Sequence, residues 1–209
     1  MKLLVLGATG KTGQQLVHQA LAQGHDVTAF VRDPARLALA DPHLRAVTGA
    51  LPGDAAALEA ALRGQDAVFC SLGLRNALKS GGLIEGAMRV LVPSMERAGV
   101  RRLLLVSANG VGGTHRRSPL LPRIMYRLLL GDIFADKARG EAIMRASSLE
   151  WTIAYPTMLT DGPRTGRYRA GETLELRGMP KIARADVADF LLRQLTERAF
   201  VRKGAVLSN

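Results

Sequence analysis

MKLLVLGATGKTG, residues 1–13, carries the strongest structural signal in this 209-residue chain. Residues 3–6 are a continuous apolar run, the pattern of a strand buried on both faces, and Gly7, Gly10 and Gly13 follow at once. A strand, a glycine turn and a helix over residues 12–23 are the opening of a dinucleotide-binding unit. There the first glycine permits a tight turn, the second lets backbone approach a pyrophosphate, and the third lets helix and strand pack closely. The diphosphate rests on the helix N-terminus, where unpaired N–H groups and the helix dipole favour negative charge. The triplet alone is also compatible with a turn that holds nothing. Its position strengthens it, because a matching second strand follows at residues 26–31. Gly10-Lys11-Thr12 imitates the end of a P-loop, but that motif needs a glycine five residues before its second one, where Val5 stands.

The length suits one α/β domain around a single core. With 47% hydrophobic and 22% charged residues the chain is globular rather than disordered. The expected fold class is a single-domain, Rossmann-like α/β fold over residues 1–209. Its doubly wound parallel sheet is flanked by helices, and the loops after the strands form the substrate pocket. The one cysteine, Cys70, lies in an apolar run, which predicts a buried, reduced thiol and leaves no disulfide within the chain. The chain opens directly on its first strand and no apolar stretch approaches a membrane span, so a cytoplasmic protein with no membrane partner is expected. No metal site is expected.

The net charge of +11 invites a nucleic-acid partner. The distribution argues against one: the basic residues are scattered, stacking aromatics are few, and no nucleic-acid motif is present. The charge fits anionic ligands instead, a phosphate-bearing cofactor first among them.

Along the chain, Gly24 closes the first helix and residues 26–31 form the second strand. Arg32 stands at its end, nineteen residues after Gly13. NAD sites place a carboxylate there for the ribose 2′-hydroxyl, and NADP sites place arginine. Asp33 is the competing carboxylate, yet Asp before Pro34 is also a standard helix start, with Asp33 as N-cap. Arg36, one turn on, then joins Arg32 around a 2′-phosphate, whose oxygens match the guanidinium fork. Two solvated surface arginines are the bland alternative; NADPH is the cofactor expected.

A third strand over residues 44–47, a helix over 54–63 with Asp54 as N-cap, and a fourth strand over 66–71 follow. Ser71, Leu72, Gly73 and Leu74 follow at its carboxyl end, and Gly73 is either an approach point for the cofactor or a plain turn. A helix over 84–98 contains Pro93, expected to kink it, and closes at Gly99. The fifth strand, 102–106, ends at Ser107, placed to hydrogen-bond a nicotinamide carboxamide or a substrate carbonyl, against the alternative of a turn-stabilising hydroxyl. Residues 115–127, rich in arginine and proline, read as a lid or pocket wall. A helix over 132–146, a sixth strand over 151–155, a short strand pair within 164–176, a helix from Asp186 to Leu195 and an edge strand over 205–207 complete the chain.

These pieces together resemble the atypical short-chain dehydrogenase/reductase family, the NmrA-like and flavin-reductase-like NAD(P)-binding proteins. The matching stretches are GATGKTG at 7–13, FVRDPARL at 30–37, GQDAVFCSLGLRN at 64–76, the strand end at Ser107, and RTGRY at 164–168. The resemblance implies NADP(H) along the glycine loop, with contacts from Thr9, Lys11 and Thr12, and with Arg32 and Arg36 on the 2′-phosphate. It implies Ser107 beside the nicotinamide, Gly73 and Leu74 along the groove, and a monomer or weak homodimer. Gly49-Ala50 replaces the family's Gly-Asp pair after the third strand, and Met158 and Lys137 stand where reductases of the family have histidines. Lys137 and Glu141 instead match a Lys-x-x-x-Glu pattern whose lysine reaches the cofactor ribose; the alternative is an ordinary helical ion pair.

Ordinary short-chain dehydrogenases use Tyr-x-x-x-Lys, the lysine lowering the tyrosine pKa so that it donates a proton. Ile133 stands four residues before Lys137, and none of Tyr126, Tyr155 and Tyr168 has a lysine at that spacing. The expected function is therefore an NADPH-dependent reductase that passes hydride to a flat conjugated acceptor, a flavin, quinone or tetrapyrrole such as biliverdin, with the proton from water. The competing expectation is an NmrA-like regulatory protein that senses the cofactor without turnover.

Overall fold

The computed structural model describes residues 1–37, 39–73, 79–111 and 120–209, with side chains outside 120–130. The elements run β1 (Lys2–Leu6), α1 (Lys11–Ala22), β2 (Asp26–Val31), β3 (Leu44–Thr48), α2 (Ala55–Leu62), β4 (Ala67–Cys70), α3 (Leu83–Ala98), β5 (Arg102–Val106), α4 (Leu120–Ala146), β6 (Glu150–Pro156), β7 (Met158–Thr160), β8 (Arg169–Gly171), β9 (Lys181–Ala183), α5 (Arg184–Arg193) and β10 (Lys203–Ser208). Eight strands form one sheet in the order β3-β2-β1-β4-β5-β6-β10-β8. Every pairing in it is parallel except β10 with β8. This is the expected doubly wound α/β sheet, and the chain reverses direction of travel between β1 and β4, where such folds open a crevice at the carboxyl ends of the strands.

The apolar runs are continuous because both faces of the sheet are covered. Successive side chains alternate across a strand, so Leu3 and Val5 join the core under α1 and α5, while Leu4 and Leu6 join the core under α2 and α3. The same alternation splits β4 between Phe69 on the first face and Val68 and Cys70 on the second.

Four expectations need correction. The helix expected over 132–146 starts at Leu120. Pro122 falls in its first turn, where a missing N–H costs nothing, so the stretch read as a lid or pocket wall is helical backbone from Leu120 onward; residues 112–119 lie outside the described part. The strand pair expected within 164–176 is one strand, β8, and its antiparallel partner is β10. β10, expected at an edge, is interior, flanked by β6 and β8. Asp54 does precede α2, but its carboxylate accepts from Ala50 N–H (2.7 Å), not from the helix.

Three buried carboxylates position the helices around the site. Asp136 of α4 accepts from the N–H groups of Ile84 (2.9 Å) and Glu85 (3.0 Å), supplying α3 with the cap that Gly82 lacks a side chain to provide. A Cβ on Gly140 would stand 2.8 Å from Ile84 Cγ2, so the two helices approach closely at that point. On the other side of the sheet, Asp186 accepts from Thr165 N–H (2.7 Å), Gly166 N–H (2.9 Å) and Thr165 Oγ1 (2.8 Å). Asp189 accepts from Arg164 (2.7 Å) and from the Tyr168 hydroxyl (2.7 Å), so the RTGRY segment is clamped to α5. No helix among the described residues is long and apolar enough to cross a membrane.

Candidate cofactor and substrate site

The glycine turn joins β1 to α1, and its three glycines meet different constraints. Gly7 has φ +79° and lies against the end of β4: a Cβ there would stand 2.7 Å from Ser71 O. A Cβ on Gly13 would stand 2.1 Å from Gly7 O, which is the close helix–strand approach expected of the third glycine. Gly10 is different, since a Cβ there meets only Gly7 O at 3.3 Å. Nothing in the protein's own packing forbids a side chain beyond that contact, and Gly10 is exposed at the N-cap of α1. No side chain caps α1, and its first turn carries no acidic residue. The N–H groups there remain available to an anion, so the turn fits a pyrophosphate. Thr9 and Thr12 are both half-buried beside it. Lys11 is exposed and its Nζ lies 2.5 Å from Asp161, a carboxylate that Arg184 also engages. Two cations on one anion leave this corner of the turn net positive.

At the end of β2, Asp33 caps the short 3₁₀ turn Pro34–Arg36, its carboxylate accepting from Ala35 N–H (3.1 Å), as the Asp-Pro pair predicts. Arg32 and Arg36 are exposed, and neither guanidinium has a hydrogen-bond or ion-pair partner among the described residues. Gly49 packs under the Phe30 ring, where a Cβ would stand 2.3 Å from Cζ. At the end of β4 the Ser71 hydroxyl donates to Leu6 O (3.0 Å), tying that strand end to the turn. Gly73 is exposed, and a Cβ there meets nothing within 4 Å, so neither packing nor a positive φ demands glycine. Leu74 lies outside the described residues.

The carboxyl ends of β5 and β6 form a second cluster. Ser107, at the end of β5, is buried, and its hydroxyl donates to Glu141 Oε1 of α4 at 2.5 Å. The other carboxylate oxygen, Oε2, accepts from the Tyr155 hydroxyl of β6 at 2.5 Å. Arg145, one turn beyond Glu141, donates to that same Tyr155 oxygen (2.8 Å) and lies over the Trp151 ring at 4.8 Å. Burial raises the Glu141 carboxyl above its ordinary range, opposed by the two hydroxyls and by Arg145 and Lys137. Burial, then the neighbouring Glu141 charge, pushes the Tyr155 phenol far up. The turn-stabilising alternative for Ser107 is thereby replaced by a long-range contact.

Lys137 and Glu141 are not the helical ion pair that their spacing allows. Both carboxylate oxygens of Glu141 are taken by hydroxyls, and Lys137 has no hydrogen-bond or salt-bridge partner among the described residues. Burial lowers the Lys137 ammonium from its ordinary value, resisted by the charges of Cys70, Glu141 and Asp136. Cys70 is the buried free thiol predicted, pushed up to about 11 by burial. Tyr155 and Arg145 are the members of the cluster that sequence reasoning does not find: Tyr155 has no lysine at the motif spacing, and its partners come from α4. Asn109, just past Ser107, donates its N–H to Pro156 O (3.0 Å), and its side-chain oxygen is buried without a partner among the described residues. Met158, standing in place of a family histidine, is 48% exposed immediately beyond the end of β6. Among the described residues, no group of three or more His, Cys, Asp or Glu is placed to hold a metal ion.

The profile of a family described as NAD(P)H-binding matches residues 7–198. The chain is 30% identical over 212 residues to an uncharacterized sugar epimerase, YhfK, of Bacillus subtilis, covering 95% of this chain and 89% of that protein. It is 31% identical over 173 residues to an uncharacterized chloroplastic protein of Arabidopsis thaliana, covering 79% of this chain but only 61% of the plant protein. Among solved structures, ChuY, an anaerobillin reductase from Escherichia coli O157:H7, superposes with a TM-score of 0.83 at 25% identity, covering 99% of this chain and 96% of that one.

Proposed function

The chain belongs to the NAD(P)H-binding family, and we propose that it is an NADPH-dependent reductase acting on a flat conjugated acceptor such as a flavin, a quinone or a tetrapyrrole. The observation that carries the reading is at the ends of β5 and β6: a tyrosine is present beside Ser107, but its proton is committed to Glu141. The proton-donating tyrosine of an alcohol dehydrogenase is a group whose pKa is brought down; this one is driven up. An acceptor whose reduced form delocalises the added charge needs no such acid, and it takes its proton from solvent. ChuY's name, a reductase acting on an anaerobillin, supports an acceptor of this shape.

In this reading the residues divide the work. The N–H groups of Lys11 and Thr12 hold the pyrophosphate, with Thr9 and the Lys11 ammonium beside it. Arg32 and Arg36, whose guanidinia are uncommitted, hold the 2′-phosphate and make the preference NADPH over NADH. Gly73 lines the groove, Lys137 holds the ribose hydroxyls, and Ser107 orients the nicotinamide. When bound, the cofactor supplies the hydride. The protein supplies orientation and a surface, including Met158, against which a planar acceptor excludes water.

The test is a titration of the protein with NADPH and with NADH, followed in the same cuvette by FMN, a quinone and a biliverdin. Tighter binding of NADPH with acceptor-dependent loss of its absorbance supports the reading. Tight binding without turnover on any acceptor overturns the reductase and favours an NmrA-like cofactor sensor.

A further inference from the structure

The polarity of the cluster around Glu141 is determined by chemistry. Arg145 is a donor only, because a guanidinium has no acceptor and does not lose its proton in a protein. Its bond to Tyr155 Oη therefore uses an oxygen lone pair, and the one phenolic proton goes to Glu141 Oε2. The remaining carboxylate oxygen takes the one hydroxyl proton of Ser107. Both O–H···O contacts, at 2.5 Å, have the length of charge-assisted bonds to an ionised carboxylate. Stacking on Trp151 holds Arg145 in place, so the order Arg145 to Tyr155 to Glu141, met by Ser107 from the other side, has one consistent proton arrangement.

We propose that Glu141 is a positioning residue which, by taking the Ser107 proton, turns the Ser107 oxygen into an acceptor only, so that Ser107 recognises the amino group of the nicotinamide carboxamide and not a carbonyl oxygen. The inference rests on the reading above that Ser107 lies beside the nicotinamide, and it decides between the two partners that position allows. Glu141, which does not touch the cofactor in this reading, thereby sets the direction of one hydrogen bond through Oε1, while Tyr155 and Arg145 occupy only its Oε2 side. Asn109 Oδ1, a buried acceptor two residues beyond Ser107 with no partner among the described residues, is a second group in this corner that calls for an N–H donor.

The test compares equilibrium binding of NADPH with that of its reduced 3-acetylpyridine analogue, in which a methyl group replaces the carboxamide amino group and the carbonyl is kept. The wild-type protein should prefer NADPH by about tenfold, the effect of one hydrogen bond with a buried partner left unmade. Ser107→Ala should bring that ratio close to one. Glu141→Gln should also collapse it, because the amide then donates to Ser107 and turns the serine proton toward the cofactor. Tyr155→Phe removes a buried hydroxyl of the same cluster but leaves the Ser107–Glu141 bond, so the ratio should survive whatever the stability lost. A merely structural Glu141 would weaken both ligands equally and leave the ratio unchanged, which overturns the proposal. A wild-type ratio of one, measurable with no substitution at all, overturns it even if Glu141→Gln does not fold. Binding of neither dinucleotide by folded protein overturns the cofactor reading itself, and this inference with it.

Discussion

The crevice at the carboxyl edge of the sheet has two halves made of different materials. At the β1–α1 turn the groups offered to a ligand are backbone N–H groups of consecutive residues, with Lys11, Arg32 and Arg36 exposed around them. At the ends of β5 and β6 they are side chains that arrive from β5, α4 and β6 and are largely buried. The first half depends on what is absent, namely Cβ atoms. The second depends on every polar atom having its partner, since in a low dielectric a group left unpaired costs its full desolvation. The glycine turn should therefore be intolerant of added volume, and the buried cluster of lost polar partners.

The severest challenge to this contrast is Gly13→Val. Its Cβ would fall 2.1 Å from Gly7 O, backbone that cannot step aside. A loss of about 3 kcal/mol or more in unfolding free energy is expected by chemical denaturation, together with loss of NADPH binding. Next is Glu141→Ala, which strands the hydroxyls of Ser107 and Tyr155 and should cost about 2–4 kcal/mol by the same measurement. Affinity for 2′,5′-ADP, which reaches only the glycine-turn half, should stay as in the wild type; a parallel fall would show that the halves are not independent. The pH dependence has a definite sign. Because burial raises the folded-state pKa of Glu141 above its value of 4.5 in a free chain, this group favours folding fully below that value, and its contribution is lost as pH rises through the folded pKa. Comparison with Glu141→Gln across that window should show a decline in the wild type that the variant lacks.

The double variant Arg32→Ala/Arg36→Ala should weaken NADPH by about 10–100-fold while leaving NADH unchanged, as expected when charged contacts to one phosphate are removed. Equal loss for both cofactors would remove these arginines from 2′-phosphate recognition. The smallest effect belongs to Asp161→Asn. Its bridge to Lys11 is exposed on both sides and its bridge to Arg184 on the Asp161 side, so the melting temperature should move little, and NADPH should bind about twofold tighter as Lys11 is released.

What can be read from the residues alone follows the same division. Gly7, Gly10 and Gly13, the strand ending at Val31 and the Asp33-Pro34 cap are local statements, each decided by residues within one turn or strand of one another. Ser107 is legible as a position, at the end of a strand, but not as a partner of Glu141, thirty-four residues away. The spacing of Lys137 and Glu141 suggests an i,i+4 pair because helical geometry is the only contact rule available without the fold. A motif search around Tyr155 tests only its sequence neighbours and so passes over it. The extent of α4 is hidden because Pro122 and Gly131 look like helix breakers, although one falls in the first turn and the other is tolerated within the helix.

The alternation of strand and helix, the two-sided burial of β1, β4 and β5, and an anion-binding turn at the first crossover all follow from the order of residues, because periodicity and glycine stereochemistry act over a few positions. Three other outcomes required the folded chain: β10 lies inside the sheet, Asp136 caps α3, and Ser107, Glu141, Tyr155 and Arg145 share one chain of hydrogen bonds. They depend on where helices dock on the sheet, and docking is settled by the fit of whole faces, which no short stretch of the chain contains.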